Sequence, residues 1–205
     1  MIVIGITGSI GMGKTTLANM MRARGIPVHD SDAAVHRLLG PGGDAVGIIG
    51  QIFPEALVTD ATGQAMIDRQ ALGRIIFASR AKKQQLENIL HPMVRAQSDA
   101  FKSEMKRAGH EMAALDIPLL FETGAEKRVD VTICVSAPND LQRARVMARP
   151  GMTSEKFEKI VSGQMPDAEK RKRADYVVET GESMEDTARQ LDEILQKIRD
   201  TRGSG

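Results

Sequence analysis

Eight residues, Gly8-Ser9-Ile10-Gly11-Met12-Gly13-Lys14-Thr15, constrain this chain more than any others. They match G-x-x-x-x-G-K-[ST]. An apolar run, Met1 to Thr7, precedes them, and a segment with Leu17, Met20 and Met21 on one side and Gly25 at its end follows. That order predicts strand, tight turn and helix, the context in which the pattern cradles phosphate. Glycines let the backbone curl until several N–H groups aim at one anion. The helix start adds its own unpaired N–H groups and positive dipole end. Lys14 is then expected at the β- and γ-phosphates, with the Thr15 hydroxyl on Mg²⁺. A dinucleotide site is a weaker rival, because the spacing is not G-x-G-x-x-G. The stretch implies a nucleoside triphosphate site.

The bulk of the chain narrows the class further. Its 205 residues suit one domain with small insertions, and 41% hydrophobic content can build a sizeable core. Net charge is +1, from 28 basic and 27 acidic residues, which argues against a general nucleic-acid or membrane binder. Cys134 is the single cysteine, so no internal disulfide forms, and a reducing compartment fits. Within Val131-Thr132-Ile133-Cys134-Val135 it reads as a small buried hydrophobe rather than a nucleophile. No apolar run approaches membrane-spanning length. The opening residues already serve as the loop's strand, leaving no room for a signal peptide, so a soluble, cytoplasmic protein is expected.

Beyond the first helix, Ile26-Pro27-Val28-His29 predicts a short strand, and Asp30-Ser31-Asp32 starts a helix carrying Val35, Leu38 and Leu39. One of these aspartates can cap that helix while the other faces the phosphates, since ligands gather at the C-terminal strand ends of parallel sheets. Residues 41 to 68 are rich in Gly and weak in periodicity, as expected of an insertion rather than another βα unit. Leu86, Ile89 and Leu90 mark one helix face. His91-Pro92 then either starts a second helix or kinks a continuous one, with Met93, Val94, Gln97, Phe101 and Met105 keeping the spacing. His91 could contact a ligand or cap the break.

Met112 to Asp116 predicts a strand ending in a carboxylate, with Asp116 at the metal's water shell or at the acceptor. Leu119, Leu120 and Phe121 suit core packing, or the apolar part of a substrate. A buried strand is expected from Val129 to Ser136. Gln142, Arg145 and Arg149 then share one helix face at i, i+3, i+7. Such a row is either solvated surface or a clamp on a transferred phosphoryl group. Arg149-Pro150-Gly151 breaks that helix, and Ser154 to Gly163 forms another, together a lid. Lys170-Arg171-Lys172-Arg173 is expected to be a solvated helix end near the anionic site. Tyr176-Val177-Val178 is the last strand, and Ser183 to Asp186 a capping-box helix start. Ala188, Leu191, Ile194, Leu195 and Ile198 dock the last helix. Thr201 to Gly205 has no evident reason to be ordered.

Together these stretches resemble the dephospho-CoA kinases. The resemblance rests on the loop ending Gly11-Met12-Gly13-Lys14-Thr15-Thr16, on Asp30-Ser31-Asp32, Leu90-His91-Pro92 and Asp116-Ile117-Pro118-Leu119-Leu120-Phe121-Glu122. It extends through Gln142, Arg145, Arg149, Gln164, Lys170 and Ala174-Asp175, over nearly the whole chain. It implies an α/β fold, a five-stranded parallel sheet with helices on both faces, of the phosphate-loop nucleotide-kinase type. The core would be about 1–40, 110–140 and 174–200, with a CoA-binding helical region about 41–109 and a lid about 141–173. The implied reaction moves the γ-phosphoryl group of ATP, with Mg²⁺, to the ribose 3′-hydroxyl of dephospho-CoA. Gly8, Gly11, Met12, Gly13, Lys14, Thr15 and Thr16 would hold ATP, and Thr15 the metal. Asp32, Lys14, Arg145 and Arg149 would be catalytic; His91, Asp116, Leu119 and Leu120 would meet the substrate. The chain departs from the family at Glu179-Thr180-Gly181, where Asn-x-Gly is usual on the adenine side. Another small-molecule kinase, or a phosphate-loop switch without an acceptor, are the rival readings.

Overall fold

The computed structural model describes residues 1–203. The chain runs β1 (Ile2–Thr7), α1 (Lys14–Ala23), β2 (Val28–Asp30), α2 (Ser31–Leu39), α3 (Val46–Ile52), β3 (Leu57–Thr59) and β4 (Ala65–Ile67). It continues with α4 (Arg69–Phe77), α5 (Arg80–Arg107), β5 (Met112–Asp116), β6 (Val131–Ser136) and α6 (Asn139–Met147). It ends with α7 (Ser154–Ser162), α8 (Asp167–Arg173), β7 (Tyr176–Glu179) and α9 (Met184–Gly203). Two compact units divide it: Met1–His29 with the chain from Met105 onward, and Asp30–Glu104.

The sheet has five strands in the order β2-β5-β1-β6-β7. β1 lies at its centre, parallel to β5 from Ile2↔Met112 to Ile6↔Asp116 and to β6 from Ile4↔Val131 to Thr7↔Cys134; β7 runs parallel to β6. All of β1 and β5 is buried, the continuous apolar pattern of strands covered on both faces. Alternation then sorts the side chains. Ile2, Ile4 and Ile6 pack with Leu17 and Met21 of α1 and Leu191 and Leu195 of α9. On the other side a Cβ at Gly5 would sit 3.1 Å from Val129 and 3.2 Å from Leu120. There Leu120, Phe121 and Ala125 form a core with Ile117, Met165 and Ala174.

The second unit builds its own core from Leu38, Val46, Ile49, Phe53, Ile67, Leu72, Leu86 and Leu90. The insertion between 41 and 68 contains a hairpin of β3 and β4 that the sequence reading missed. Its strands are three residues each, and Leu57–Thr59 is exposed throughout, so no apolar alternation marks it. Asp60 makes the turn instead, accepting from Thr62 N–H at 2.8 Å and Gln64 N–H at 2.9 Å. α4 lies outside every helix that the sequence predicts; Asp68 caps it, accepting from the Gln70 and Ala71 N–H groups. α5 is one helix of 28 residues with Pro92 inside, so the two-helix alternative does not hold.

One smaller correction concerns a helix end. α9 continues through Gly203, past the expected limit at Thr201, whose hydroxyl donates to the Lys197 carbonyl at 2.8 Å. Ser204 and Gly205 lie outside the described residues. Among the described residues no helix is long and apolar enough to cross a membrane.

Candidate functional site

β1 delivers the chain into Gly8, and α1 carries it away from Gly13. α1 has no side-chain cap and no acidic residue in its first turn, so nothing of its own competes for the N–H groups there. Three loop glycines are held by space. A Cβ would lie 2.7 Å from the Val135 carbonyl oxygen at Gly8, 2.5 Å from Val146 Cγ2 at Gly11 and 3.0 Å from Thr180 Oγ1 at Gly13. Gly13 also holds φ 95°, in the left-handed region. Met12 is buried, and its sulfur accepts from the Ala137 N–H. Thr15 is exposed at the head of α1, and Thr16 is half-buried.

Lys14 reaches across from α1 to pair with Asp116, which ends β5 in register with Ile6. Asp116 is 4% exposed, and the ammonium offsets the cost of holding a carboxylate there. A lysine and an acidic residue therefore meet where the uncapped helix start is aimed. The fit to a triphosphate is direct: N–H donors at the start of α1 without a side-chain cap, and one ammonium beside them. Hard oxygen donors suited to Mg²⁺, the Thr15 hydroxyl and the Asp116 carboxylate, belong to the same group of residues.

Thr180 turns out to support the loop. It is 5% exposed, and its hydroxyl donates to the Met12 carbonyl at 2.7 Å. Arg145 donates to Thr180 twice, to Oγ1 at 3.1 Å and to the carbonyl at 2.7 Å. The departure from Asn-x-Gly thus keeps this turn bonded to the loop, a role no local pattern announced. Arg149 does not share a helix face with Gln142 and Arg145. α6 ends at Met147, Arg149 donates its N–H to the Val146 carbonyl in the turn beyond, and its side chain is exposed.

The basic run does close α8, with Lys172 and Arg173 exposed as a solvated helix end requires, but Lys170 departs from that reading. Lys170 has no exposed surface; it pairs with Glu122 at 2.9 Å and donates to the Pro118 carbonyl at 3.1 Å. The same carbonyl accepts from Thr7 Oγ1 at 3.0 Å. Arg171 pairs with Glu179, and Arg173 with Glu126 while lying over the Phe121 ring. Burial by itself raises the Glu122 carboxyl, but the Lys170 ammonium and the Met165 N–H outweigh it and hold the group below the usual carboxylate range. Burial, more than any neighbouring charge, pushes the Cys134 thiol up to about 12, so this cysteine is inert.

Leu119 is half-buried, whereas Leu120 is fully enclosed in the core beneath the sheet. Asp32 and His91 belong to the second unit. Asp30 caps α2, accepting from the Ala33 N–H at 2.9 Å, and Asp32 stands exposed in the first turn. His91 is exposed along α5.

The geometry describes a phosphate-loop enzyme, and the match to a family follows the same residues. A family model for dephospho-CoA kinase matches residues 2–186. This chain belongs to the dephospho-CoA kinase family. It is 47% identical over 204 residues to a dephospho-CoA kinase from Mesorhizobium japonicum, covering 100% of both chains. It is 50% identical over 198 residues to one from Agrobacterium fabrum, covering 97% of this chain and 98% of the relative. A solved structure from Thermus thermophilus superposes with a TM-score of 0.81 at 39% identity, over 96% of this chain and 97% of that one. The dephospho-CoA kinase of Campylobacter jejuni gives 0.72 at 26% identity, over 98% of each. Shikimate kinase from Bacteroides thetaiotaomicron, at 0.51 and 17% over 95% and 98%, shares the fold. As a member of this family the chain is a phosphotransferase kinase that uses ATP.

Proposed function

We propose that this kinase transfers the γ-phosphoryl group of ATP to the ribose 3′-hydroxyl of dephospho-CoA, giving coenzyme A and ADP. The observation that carries the proposal is the Lys14–Asp116 pair at the uncapped start of α1, in a chain matched along its length to dephospho-CoA kinases. In-line phosphoryl transfer needs positioning and charge neutralisation more than covalent help. The backbone from Gly8 to Thr16 binds the phosphates, and Lys14 exchanges its Asp116 partner for phosphate oxygens. Bound Mg²⁺ would neutralise charge on those oxygens; the Thr15 hydroxyl and Asp116 carboxylate would hold it.

Arg145 is engaged with Thr180 and supports the loop, which leaves exposed Arg149 as the better clamp for the transferred group. Asp32, left exposed while Asp30 caps α2, orients the acceptor hydroxyl and takes its proton. His91 and Leu119 contact the acceptor; Leu120, being enclosed, shapes the core behind them. Of residues about 141–173, those between Gln142 and Gln164 act as the lid that keeps water from the phosphoryl group, while α8 stays tied through Lys170; about 41–109 bind the CoA moiety. The balanced charge and lone buried thiol suit a cytoplasmic enzyme with no nucleic-acid or membrane partner.

A coupled assay with ATP, Mg²⁺ and dephospho-CoA tests this. ADP should form only when dephospho-CoA is present, with coenzyme A appearing mole for mole. Steady ATP hydrolysis without acceptor, or faster turnover with shikimate or a nucleoside monophosphate, would overturn it.

A further inference from the structure

Ile10 is the third residue of the phosphate loop, and both polar groups of its backbone are held by side-chain amides. Its N–H donates to Gln164 Oε1 at 3.1 Å, and its carbonyl accepts from Gln142 Nε2 at 2.8 Å. Gln142 stands on α6 and is 5% exposed; Gln164 follows Gly163, the residue that closes α7. The two glutamines thus bracket the segment from 143 to 163. Chemistry fixes how each amide points. An N–H requires an oxygen and a carbonyl requires an N–H, so Gln164 must accept and Gln142 must donate.

Both glutamines are themselves anchored. The Gln142 N–H donates to the Pro138 carbonyl at 2.9 Å, within α6's first turn. Next to Gln164, the Met165 N–H donates to Glu122 at 2.8 Å, and Glu122 is the carboxylate paired with buried Lys170. The clamp on Ile10 therefore bears on two fixed points. The loop it holds contains Gly8, Gly11 and Gly13, residues that leave a free backbone many conformations. Donors bind phosphate best when they are already aimed, because ordering at the moment of binding subtracts from affinity.

We propose that Gln142 and Gln164 are positioning residues, which grip the Ile10 backbone from both sides and hold the phosphate loop in its binding shape. The inference rests on the reading of that loop as the ATP site. Glutamate discriminates between the two roles: it keeps an acceptor oxygen at 164 but removes the donor at 142. The experiment uses the full chain with Gln164→Glu, Gln164→Met, Gln142→Glu and Gln142→Met. Exchange of the Ile10 amide hydrogen is measured by NMR without nucleotide, and ATP affinity by calorimetry.

Ile10 exchange in Gln164→Glu should match the parent, and in Gln164→Met it should be roughly tenfold faster, the loss expected for one hydrogen bond. ATP should bind about fivefold more weakly to Gln164→Met and Gln142→Met, both still fully folded in the absence of urea. Gln142→Glu should weaken ATP at least as much as Gln142→Met, because its carboxylate faces a carbonyl. Parent-like Ile10 exchange in Gln164→Met, fast exchange in Gln164→Glu, or parent-like ATP affinity in both Met variants would each overturn the clamp. Failure of the parent protein to bind ATP would instead overturn the phosphate-loop reading, and the exchange data would still judge the clamp.

Discussion

Asp30 and Asp32 lie two residues apart and meet different fates. Asp30 is held by the Ala33 N–H, and Asp32 is exposed. Asn replaces a capping Asp well, so Asp30→Asn should leave the fold intact and affect transfer mildly. Asp32→Asn should likewise keep the fold and ATP affinity, yet slow transfer by roughly 10²–10⁴, the usual cost of removing a positioned base. Ribose hydroxyls are very weak acids, so much of that loss would be lost orientation. Single-turnover transfer from labelled ATP to dephospho-CoA measures it. Near-parental transfer in Asp32→Asn, or a larger loss in Asp30→Asn, would move the role to another carboxylate, with Asp116 the next candidate.

The tie between α8 and the segment after β5 shows why a basic run can be misread at the level of an element. Four consecutive cations look like solvent-facing charge, but helix geometry turns Lys170 inward to Glu122 and the Pro118 carbonyl. Removing the ammonium leaves Glu122 with only the Met165 N–H and the Pro118 carbonyl without this donor, so Lys170→Met should cost about 1–3 kcal/mol in denaturant unfolding. The pair also has a pH signature. The folded Glu122 carboxyl sits below its ordinary value of 4.5. Its contribution to stability is therefore complete above that pH and disappears as pH falls through the lower, folded value. The stability difference between the parent and Glu122→Gln should shrink on acidification from pH 6 to pH 3. A difference that stays constant would show the pair does not titrate with folding.

At the scale of the whole molecule, nucleotide binding should register as stability. A ligand at about a hundredfold its Kd adds roughly 2.7 kcal/mol, which in a chain of this size raises Tm by about 5–10 °C. ATP should produce such a shift in the parent protein by scanning fluorimetry or calorimetry. Lys14→Ala removes an ammonium that serves both Asp116 and the phosphates, so it should lower the Tm without ligand and lose most of the ATP shift. An undiminished shift would remove Lys14 from the site.

The sequence by itself determined the parts whose signals are local. The loop from Gly8 to Thr15, the apolar runs of β1 and β5, Asp116 at its strand end, and the Pro150-Gly151 break are each written in a few adjacent residues, because turn chemistry and strand burial act over that range. Family membership followed from the same stretches. The hairpin at 57–67 left no such trace, since its short, exposed strands carry no alternation and its turn depends on Asp60 gathering donors. Arg149 fell off the predicted helix face because α6 ends at Met147. Only tertiary structure could decide that Lys170 is buried, that Thr180 carries Arg145 and Met12, and that Gln142 and Gln164 meet on Ile10. Each of those joins residues far apart in the chain. Hydrogen bonds and ion pairs are matched in space by distance and direction, and neither quantity is encoded in the order of neighbours.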